Sequence, residues 1–345
     1  MSYSVAVMAA DRAQKALYEQ FWDAGDVILR HRLPHDRTER FSYWWQAHAI
    51  DVLLDGYLRT KDNATMELIQ MELRGTIAHN NGTILNNWYD DMEWMALALL
   101  RLFDETKDDF YKKLVDILWK DIKTAWNSNM GGGMAWRKDQ LDYKNTPANA
   151  PAAILAFRLY QRFGNEDDLA WGRKIFEWNR DNLMDQETFY VWDGMNRTGD
   201  GTIDYNWAFT YNQGVMIGAA VEYYRITGEK TLLDLAKNIA YESKRRFGDA
   251  HGGTFPYEGK DDCGLFRGIF FRYLFELIKE APEVKEFSEI LMDNTFVVIE
   301  KGISDSGVIG GYWDEQPDAQ VDLAQHLSGM MLLEMAVQTL AKELP

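Results

Sequence analysis

The sequence is dominated by helical periodicity, and its helices are of two kinds that alternate along the chain. The stretch from Gly228, GEKTLLDLAKNIAYESKRR, is amphipathic, with its apolar side chains on one stripe and its charges elsewhere. The stretches MALALLRLF from Met95 and LFRGIFFRYLFELI from Leu265 are apolar on nearly every side, as expected of a helix surrounded by protein. Alternation of partly solvated with buried helices predicts an all-α fold built in two layers.

Apolar spacing, cap residues and Gly or Pro punctuation together predict twelve helices. Links after the even-numbered helices are tight turns, such as DETK from Asp104 and TGEK from Thr227, whereas links after the odd-numbered helices are long. The predicted spans are 4–32, 41–58, 63–79, 88–103, 107–126, 146–163, 166–183, 207–227, 230–247, 263–280, 284–302 and 319–342.

The long links are rich in glycine and aromatic residues, and they include residues 127–145, 184–206, 249–262 and 304–318. If successive helices are antiparallel, all long links emerge at one end of the molecule. Six hairpins with buried inner and solvated outer helices close most simply into an (α/α)6 double-layered helical barrel, predicted as one domain over 1–345. No recurring consensus indicates an open repeat array. Functional residues are expected on the rim that carries the long links.

Composition restricts the partners. A formal net charge of -17 repels phosphate backbones and anionic lipid heads, so neither a nucleic acid nor a membrane is an expected partner. The 13 Trp, 17 Tyr and 17 Phe exceed what core filling comfortably explains, and flat rings suit sugar-like ligands. Cys263 is the only cysteine, and the first residues lack the basic segment of an export signal. We therefore expect a soluble, cytoplasmic protein; nothing predicts its oligomeric state.

The stretch NNWYDDMEW, residues 86–94, sets Asp90 beside Asp91 and brackets them with Trp88, Tyr89 and Trp94. The predicted fourth helix is an inner helix that begins on the long-link rim, so the pair is expected to face a cavity. Apolar walls and a neighbouring negative charge raise the proton affinity of one carboxyl while the other stays ionised. The pair therefore predicts one acid and one base.

A purely structural explanation of the pair is also open. An acidic first turn is stabilised by free N–H groups and by the positive end of the helix dipole, with Asn86 or Asn87 as the cap. That role requires one carboxylate only. The dipole suits an ionised nucleophile but opposes the proton affinity that an acid requires, and this conflict stays open.

Spacing predicts the kind of chemistry. Neighbouring helical positions diverge by about 100°, so the two carboxyl groups can flank a bound linkage. Retaining glycosidases separate their carboxyl groups by about 5 to 5.5 Å and inverting ones by about 6.5 to 9.5 Å. Adjacent residues favour the shorter gap, with one oxygen attacking the anomeric carbon and the other acid protonating the leaving oxygen.

Other residues on the predicted rim suit sugar binding, and each has a structural alternative. Core packing competes for the tryptophans of the second helix, because neighbouring side chains point apart. Local capping competes for the amides near helix starts, and an Asp-Gly turn competes for Asp193. The two loop tryptophans beside paired glycines are either platforms for a pyranose ring or plugs of the barrel mouth. These candidates are Tyr43, Trp44, Trp45, Trp136, Asn145, Asn149, Asp193, Tyr211, Asn212, Gln213 and Trp313.

Other chemistries find little support in the sequence. His48, His251 and His326 have no partners at metal-ligand spacing, and no calcium loop is present. GGGMAW lacks the lysine and hydroxyl residue of a phosphate loop, and no serine elbow or Cys-His signature occurs. No metal and no cofactor are therefore predicted.

Six motifs together resemble those of glycoside hydrolase family 76, the α-1,6-mannanase-like proteins: YWWQAHAID, NNWYDDMEWMALALL, KNTPANAP, TYNQG, LFRGIFFRYL and GYWD, within residues 43–314. The resemblance implies an (α/α)6 barrel and retaining, endo-type cleavage of α-1,6-linked mannose chains, with Asp90 as nucleophile and Asp91 as general acid/base. A mannose-containing oligosaccharide is the implied substrate. The implied substrate contacts are Tyr43, Trp44, Trp45, Trp88, Tyr89, Trp94, Trp136, Asn145, Asn149, Asp193, Tyr211, Asn212, Gln213, Arg267 and Trp313.

Familiar fungal and gut-bacterial members of that family are exported, whereas a cytoplasmic member would act on imported oligosaccharides or an endogenous glycan. Three other functions are alternatives. A hydrolase or lyase for acidic sugars would require a basic rim, for which Arg137 and Arg267 are scattered candidates. A carbohydrate-binding protein without turnover would have no use for an acidic pair. A scaffold for protein partners would require apolar outer grooves, but the outer stripes are charged.

Overall fold

The computed structural model describes residues 1–35 and 40–342. Twelve α-helices lie in these ranges, and α3, α6 and α7 begin and end where the sequence predicts. The helices are α1 Tyr3–Ala16, α2 Tyr43–Thr60, α3 Asn63–His79, α4 Tyr89–Thr106, α5 Asp109–Ile122, α6 Thr146–Phe163, α7 Glu166–Leu183, α8 Thr210–Thr227, α9 Lys230–Ser243, α10 Phe266–Glu280, α11 Lys285–Val297 and α12 Leu323–Ala341. Short strands are β1 Trp22–Asp23, β2 Ile28–Leu29, β3 Arg32–Leu33, β4 Ala135–Arg137, β5 Gln140–Asn145, β6 Gly194–Met195 and β7 Val321–Asp322.

The first helix is shorter than predicted, and the span 4–32 is wrong beyond Phe21. After a π-helical turn at Leu17–Phe21, β1 and β2 pair antiparallel. The turn between them is closed by Asp23, whose Oδ1 accepts hydrogen bonds from the backbone N–H groups of Gly25 and Asp26 at 2.7 and 3.0 Å. An aspartate that satisfies the next backbone donors ends a helical pattern that apolar periodicity alone would continue.

The predicted alternation of buried and partly solvated helices is confirmed. In α8 every residue from Thr210 to Tyr223 is buried. In α5 the buried residues recur at helical spacing on one stripe: Tyr111, Val115, Leu118, Trp119 and Ile122. Tight turns follow the inner helices, because Gly164 and Gly228 end α6 and α8 in the left-handed conformation, with φ of 67° and 71°, which glycine adopts without steric cost.

The chain divides into two compact units. The central unit comprises Ile84–Ser243 and Glu276–Pro282, and the terminal unit comprises Met1–Thr83, Lys244–Phe275 and Glu283–Pro345. Within the central unit α6 packs between α4 and α8, while α5, α7 and α9 pack on these inner helices. Within the terminal unit α12 packs against α1, α2 and α11, and α2 packs against α3. The single domain over 1–345 stays a prediction.

A small sheet joins two long links within the central unit. The antiparallel order is β4-β5-β6, with Ala135 opposite Lys144 and Asn145 opposite Gly194. A bridge between Trp88 and Arg137 ties β4 to the start of α4, and β5 runs directly into α6. The sheet therefore holds the N-terminal ends of α4 and α6 beside both links. No helix within residues 1–35 and 40–342 is long and apolar enough to cross a membrane.

Candidate active site

Asp90 and Asp91 lie in the first turn of α4, as predicted. The cap residue, however, is Trp88, which makes no side-chain cap bond, so the predicted cap at Asn86 or Asn87 is wrong. Asn86 lies outside the helix, where its Oδ1 accepts the backbone N–H of Trp88 at 3.1 Å. Asn87 is turned away, because its amide donates to Asp139 at 3.1 Å.

The two aspartates have different hydrogen-bond partners. Asp90 Oδ1 accepts the backbone N–H of Asp91 at 3.0 Å, and Oδ2 accepts Nε1–H of Trp136 at 3.0 Å. Asp91 Oδ2 accepts a longer bond of 3.3 Å from the Asn86 amide. Because N–H donors favour a charged acceptor, the two bonds to Asp90 suit its ionised form. Both side chains are half-buried.

Trp136 connects the pair to a second carboxylate, Asp193. The Trp136 ring meets Tyr143 edge-on, with centroids 5.7 Å apart. Asp193 accepts hydrogen bonds from the hydroxyls of Tyr143 and Tyr211, both at 3.1 Å, and from the Asn212 amide at 3.0 Å. Burial raises the pKa of Asp193, and the three donors act against that rise. Four of these five residues are among the candidates predicted from the sequence, and Tyr143 is not.

Burial, and secondarily the charge of Asp193, raises the pKa of both Tyr143 and Tyr211 above its usual range. Each hydroxyl therefore keeps its proton and remains a donor to Asp193 at neutral pH. Asp193 does more than form the predicted turn. Its side chain is 3 % exposed and accepts hydrogen bonds from three neighbouring donors. This network fixes the loop that contains β6 against the start of α8.

A third acidic residue, Glu93, lies one helical turn after Asp90 and is fully buried. Burial, and secondarily the negative charge of Asp90, raises its pKa well above the usual range, while the backbone N–H of Ala152 lowers it. Burial therefore favours the neutral form of Glu93. Sequence reasoning missed it, although it is the one charged residue in the apolar run MEWMALALL, which is the signal that marks it.

Two predicted sugar-binding amides hold the long links instead. Gln213 accepts the backbone N–H of Val191 at 2.9 Å and donates to the carbonyl of the same residue at 2.7 Å. Asn149 does the same for Met134, accepting its N–H at 2.8 Å and donating to its carbonyl at 3.1 Å. Both side chains are fully buried. These bonds contradict the predicted direct sugar contacts, because the chain itself occupies the amide groups.

Asn145 and Asn212 differ from those amides. Their Oδ1 atoms are buried and have no hydrogen-bond partner among the described residues. Asn145 holds the N-cap position of α6 but makes no side-chain cap bond, so the predicted capping role is wrong. Since a buried, unpaired acceptor is costly, both oxygens are available to a hydroxyl donor.

The aromatic residues around the pair divide into core and open positions. Tyr89 and Trp94 are 3 % and 5 % exposed, and the Tyr89 hydroxyl hydrogen bonds with Thr124 at 3.1 Å. Trp88 and Trp136 are half-buried. The latter two can present ring surface to a ligand, whereas Tyr89 and Trp94 pack into the core, which contradicts their prediction as wall residues.

In the terminal unit both Trp44 and Trp45 donate their indole N–H to Asp262 Oδ1, each at 2.9 Å. The two indole N–H groups thus meet at one carboxylate, although the rings contact different neighbours, His48 for Trp44 and His31 for Trp45. Trp45 is fully buried and stacks on His31 at 4.0 Å, which confirms its core-packing alternative. Tyr43 is also buried, whereas Trp44 is half-buried.

Trp313, also in the terminal unit, is 0 % exposed and lies under the Arg267 guanidinium at 3.8 Å. The predicted stacking platform is therefore wrong for Trp313; the open ring of that motif is Tyr312, 47 % exposed. Arg267 donates to the carbonyls of Phe255 and Gly311. Burial lowers its pKa to about 10, so it is charged at neutral pH and joins two long links.

Arg137, the other basic candidate, lies over the Trp136 ring at 4.9 Å and beside Asp139 at 3.2 Å. Neither arginine thus supplies the open basic rim that an acidic sugar requires. Across residues 1–35 and 40–342 no group of three or more His, Cys, Asp or Glu side chains is arranged to hold a metal ion. The absence of a metal or cofactor stays a prediction.

An all-α chain with adjacent carboxylates at the start of a buried helix, flanked by tryptophan, has the arrangement of a helical glycosidase. The sequence model of Glycosyl hydrolase family 76 matches residues 4–343. The chain belongs to this family and is a glycoside hydrolase.

Solved structures resemble the chain over almost its full length. The GH76A α-1,6-mannanase from Salegentibacter sp. HEL1_6 is 36% identical, with a TM-score of 0.92 over 96% of this chain and 99% of that one. A Listeria innocua protein is 39% identical, with the same TM-score over 99% of both chains. These similarities confirm the predicted all-α fold class of the (α/α)6 type.

An inactive variant of the Salegentibacter enzyme, with two consecutive aspartates replaced by asparagine, has been solved in complex with α-1,6-mannotriose. Among curated proteins, the mannan endo-1,6-α-mannosidase DCW1 of Candida glabrata is 26% identical over 267 residues, which cover 71% of this chain. The match spans 60% of the length of that relative.

Proposed function

We propose that the chain is a retaining endo-α-1,6-mannanase in which Asp90 is the nucleophile and Asp91 the general acid/base. The observation that carries the proposal is the pair of adjacent aspartates in the first turn of the buried helix α4, where Asp90 accepts hydrogen bonds from the backbone N–H of Asp91 and from the indole N–H of Trp136. The α-1,6-mannanase and mannan endo-1,6-α-mannosidase activities named for similar proteins support the substrate class.

In the first step an Asp90 oxygen attacks the anomeric carbon, and Asp91 transfers its proton to the glycosidic oxygen as that bond breaks. The products are a glycosyl ester on Asp90, a free sugar hydroxyl and an ionised Asp91. In the second step Asp91 takes a proton from water, whose oxygen attacks the same carbon. Asp90 leaves as a carboxylate, and two inversions give net retention.

The surrounding residues suit both steps. The N–H groups of Trp136 and Asp91 orient the Asp90 carboxylate and stabilise its charge before attack and after release. Burial raises the pKa of Glu93 and so favours its neutral form over a third negative charge one helical turn after Asp90.

A bound sugar has two kinds of candidate contact in the central unit, unpaired amide oxygens and half-buried rings. The buried oxygens of Asn145 and Asn212 accept hydroxyl donors, because no described residue pairs with them. The half-buried rings of Trp88 and Trp136 pack against the apolar faces of pyranose rings. Asn149, Gln213 and Asp193 act indirectly by fixing the links that present these groups.

The test is stereochemical. Wild type with α-1,6-mannotetraose should release α-configured product first, seen by proton NMR. On an activated aryl α-mannoside, azide should rescue Asp90→Ala to give the inverted mannosyl azide and Asp91→Ala to give the retained one. Asp116→Asn, an exposed aspartate on α5, is the control. Inverted first product, or near wild-type turnover by an Asp90 or Asp91 variant on mannotetraose, would refute the roles.

We also propose a cytoplasmic location with imported oligosaccharides or an endogenous glycan as substrate. The single cysteine supports a reducing compartment. Cell fractionation with an antibody against the chain is the check, and recovery in the culture medium or cell wall would overturn it. The expectation of no nucleic-acid or membrane partner stays a prediction.

A further inference from the structure

The long link before α8 carries an aromatic cluster outside the proposed active site: Trp192, Tyr205, Trp207 and Phe209. Tyr205 is 63 % exposed and Trp207 is 38 % exposed, in the central unit. Exposing apolar ring surface to water is unfavourable, so a group of exposed aromatic rings marks a candidate binding surface.

The rings contact each other in two groups, Trp192 with Tyr205, and Trp207 with Phe209 and Tyr211. Trp192 and Tyr205 meet edge-on at 5.2 Å with an interplanar angle of 88°. Trp207 contacts Phe209 at 6.0 Å, and Phe209 contacts Tyr211 at 6.0 Å. The cluster thus extends from exposed ring surface to a tyrosine of the proposed active site.

From Tyr211 a continuous path leads to the catalytic pair. Its hydroxyl donates to Asp193, which also binds Tyr143. Tyr143 contacts Trp136, and Trp136 donates to Asp90. Every step of this path lies in the central unit, so a chain of side-chain contacts through buried residues links Trp207 to the reacting carboxylates.

Neighbouring residues of the same link hold the Trp207 ring in place. The Arg197 guanidinium lies over the Trp207 ring at 4.4 Å and binds Asp204 at 2.9 Å. Asp204 is anchored to β6 through its N–H, which donates to the Gly194 carbonyl at 2.9 Å, and its carbonyl accepts the Trp207 N–H at 3.0 Å. Loop packing explains the covered face of Trp207, but it does not explain the exposure of Tyr205. Arg197 is charge-paired, so the cluster suits a neutral ligand.

We propose that the aromatic cluster is a distal sugar subsite, which stacks on a residue of the same neutral oligosaccharide whose linkage is cleaved between Asp90 and Asp91. The inference rests on the proposed function and adds a preference for longer chains. Pre-positioned rings bind a sugar at low entropic cost, and a chain held at two separated points is bound more tightly than a short one.

The experiment compares kcat/KM on α-1,6-mannobiose through mannohexaose. Tyr205→Ala and Trp207→Ala should each lower kcat/KM on the longest chains by about 10-fold, equivalent to about 1.4 kcal/mol, and leave mannobiose within about 2-fold. Trp207→Phe keeps a ring and should retain most of the long-chain rate. Phe110→Ala removes an exposed ring of similar size from outer helix α5 (50 % exposed) and is the matched control.

Direct binding to an Asp90→Asn, Asp91→Asn background, followed by calorimetry, should show the same dependence on length. Circular dichroism verifies that each variant is folded. If wild type hydrolyses the chains and both alanine variants keep its length profile, the subsite is overturned while the proposed function stands. If wild type neither binds nor hydrolyses any α-1,6-mannoside, the proposed function fails and the subsite falls with it.

Discussion

The indole nitrogen of Trp136 donates a 3.0 Å hydrogen bond to Oδ2 of Asp90, across 46 positions of sequence. The bond places a β4 side chain on one oxygen of the proposed nucleophile. A donor on a carboxylate fixes its orientation and stabilises its charge, so Trp136 positions the proposed nucleophile in addition to its proposed role as ring surface for a sugar.

Trp136→Phe keeps the ring and removes this donor. A hydrogen bond to a charged group contributes about 1.5 to 3 kcal/mol, so kcat/KM should fall by about 10- to 100-fold. Trp119→Phe is the matched control, since Trp119 donates a 2.8 Å bond to Asp168 on the outer helices. Steady-state kinetics on mannotetraose measure kcat/KM for both variants. Equal losses in the two variants would show that the effect is structural.

Gln213 should act through the loop that it holds. Gln213→Leu leaves the N–H and carbonyl of Val191 unpaired in a buried site, so the free energy of unfolding should drop by about 1 to 3 kcal/mol. Urea unfolding measures this loss, and hydrogen exchange at the Val191 amide should accelerate. Protection of that amide at the wild-type level would contradict the anchoring role.

Glu72 in α3 should make stability depend on pH. Its Oε2 accepts the Leu29 N–H at 3.0 Å and its Oε1 accepts the Thr76 hydroxyl at 3.3 Å, and burial raises its pKa to about 8. The unfolded chain loses this proton near pH 4.5 and the folded chain near pH 8. The contribution of Glu72 is thus complete below pH 4.5 and is lost as pH rises to 8, by at most about 1.4 kcal/mol per pH unit.

Urea unfolding of wild type and Glu72→Gln between pH 5 and 8 checks this dependence. The glutamine keeps an acceptor for Leu29 and carries no charge, so its stability curve should be flatter than that of wild type over this range. Parallel curves for the two proteins would show that Glu72 is already ionised in the folded chain.

The sequence predicts the helices well because their signals are local. Periodicity distinguishes α8, buried all round, from α5, buried on one stripe, and Asp90 and Asp91 are recognisable because they are adjacent in a first turn. The bond between Trp136 and Asp90 is not predictable in this way, since it depends on the pairing of β4 and β5, strands of three and six residues inside a glycine-rich link.

Burial in the links is equally hard to predict. Trp313 and Tyr312 are neighbours with similar surroundings in sequence, yet Trp313 is fully buried and Tyr312 is 47 % exposed. The difference arises from Arg267, 46 positions earlier, which covers the indole ring. The roles of the amides Gln213 and Asn149 are hard to predict for the same reason. Both pair with backbone groups of long links, and the course of those links is defined only in the folded chain.

Glu93 should carry no charge in the folded chain, one helical turn after Asp90. Its pKa is raised well above the usual range by burial and then by Asp90, so the folded chain holds a proton that the unfolded chain releases near pH 4.5. Its contribution to stability is therefore lost as pH rises. Glu93→Gln should keep kcat within about 3-fold at neutral pH, since about 0.7 kcal/mol corresponds to that factor, and it should flatten the fall in stability at higher pH. A loss of kcat as large as that of Asp90→Asn would mean that an ionised Glu93 takes part in the reaction. The reaction would then use three carboxylates and not two.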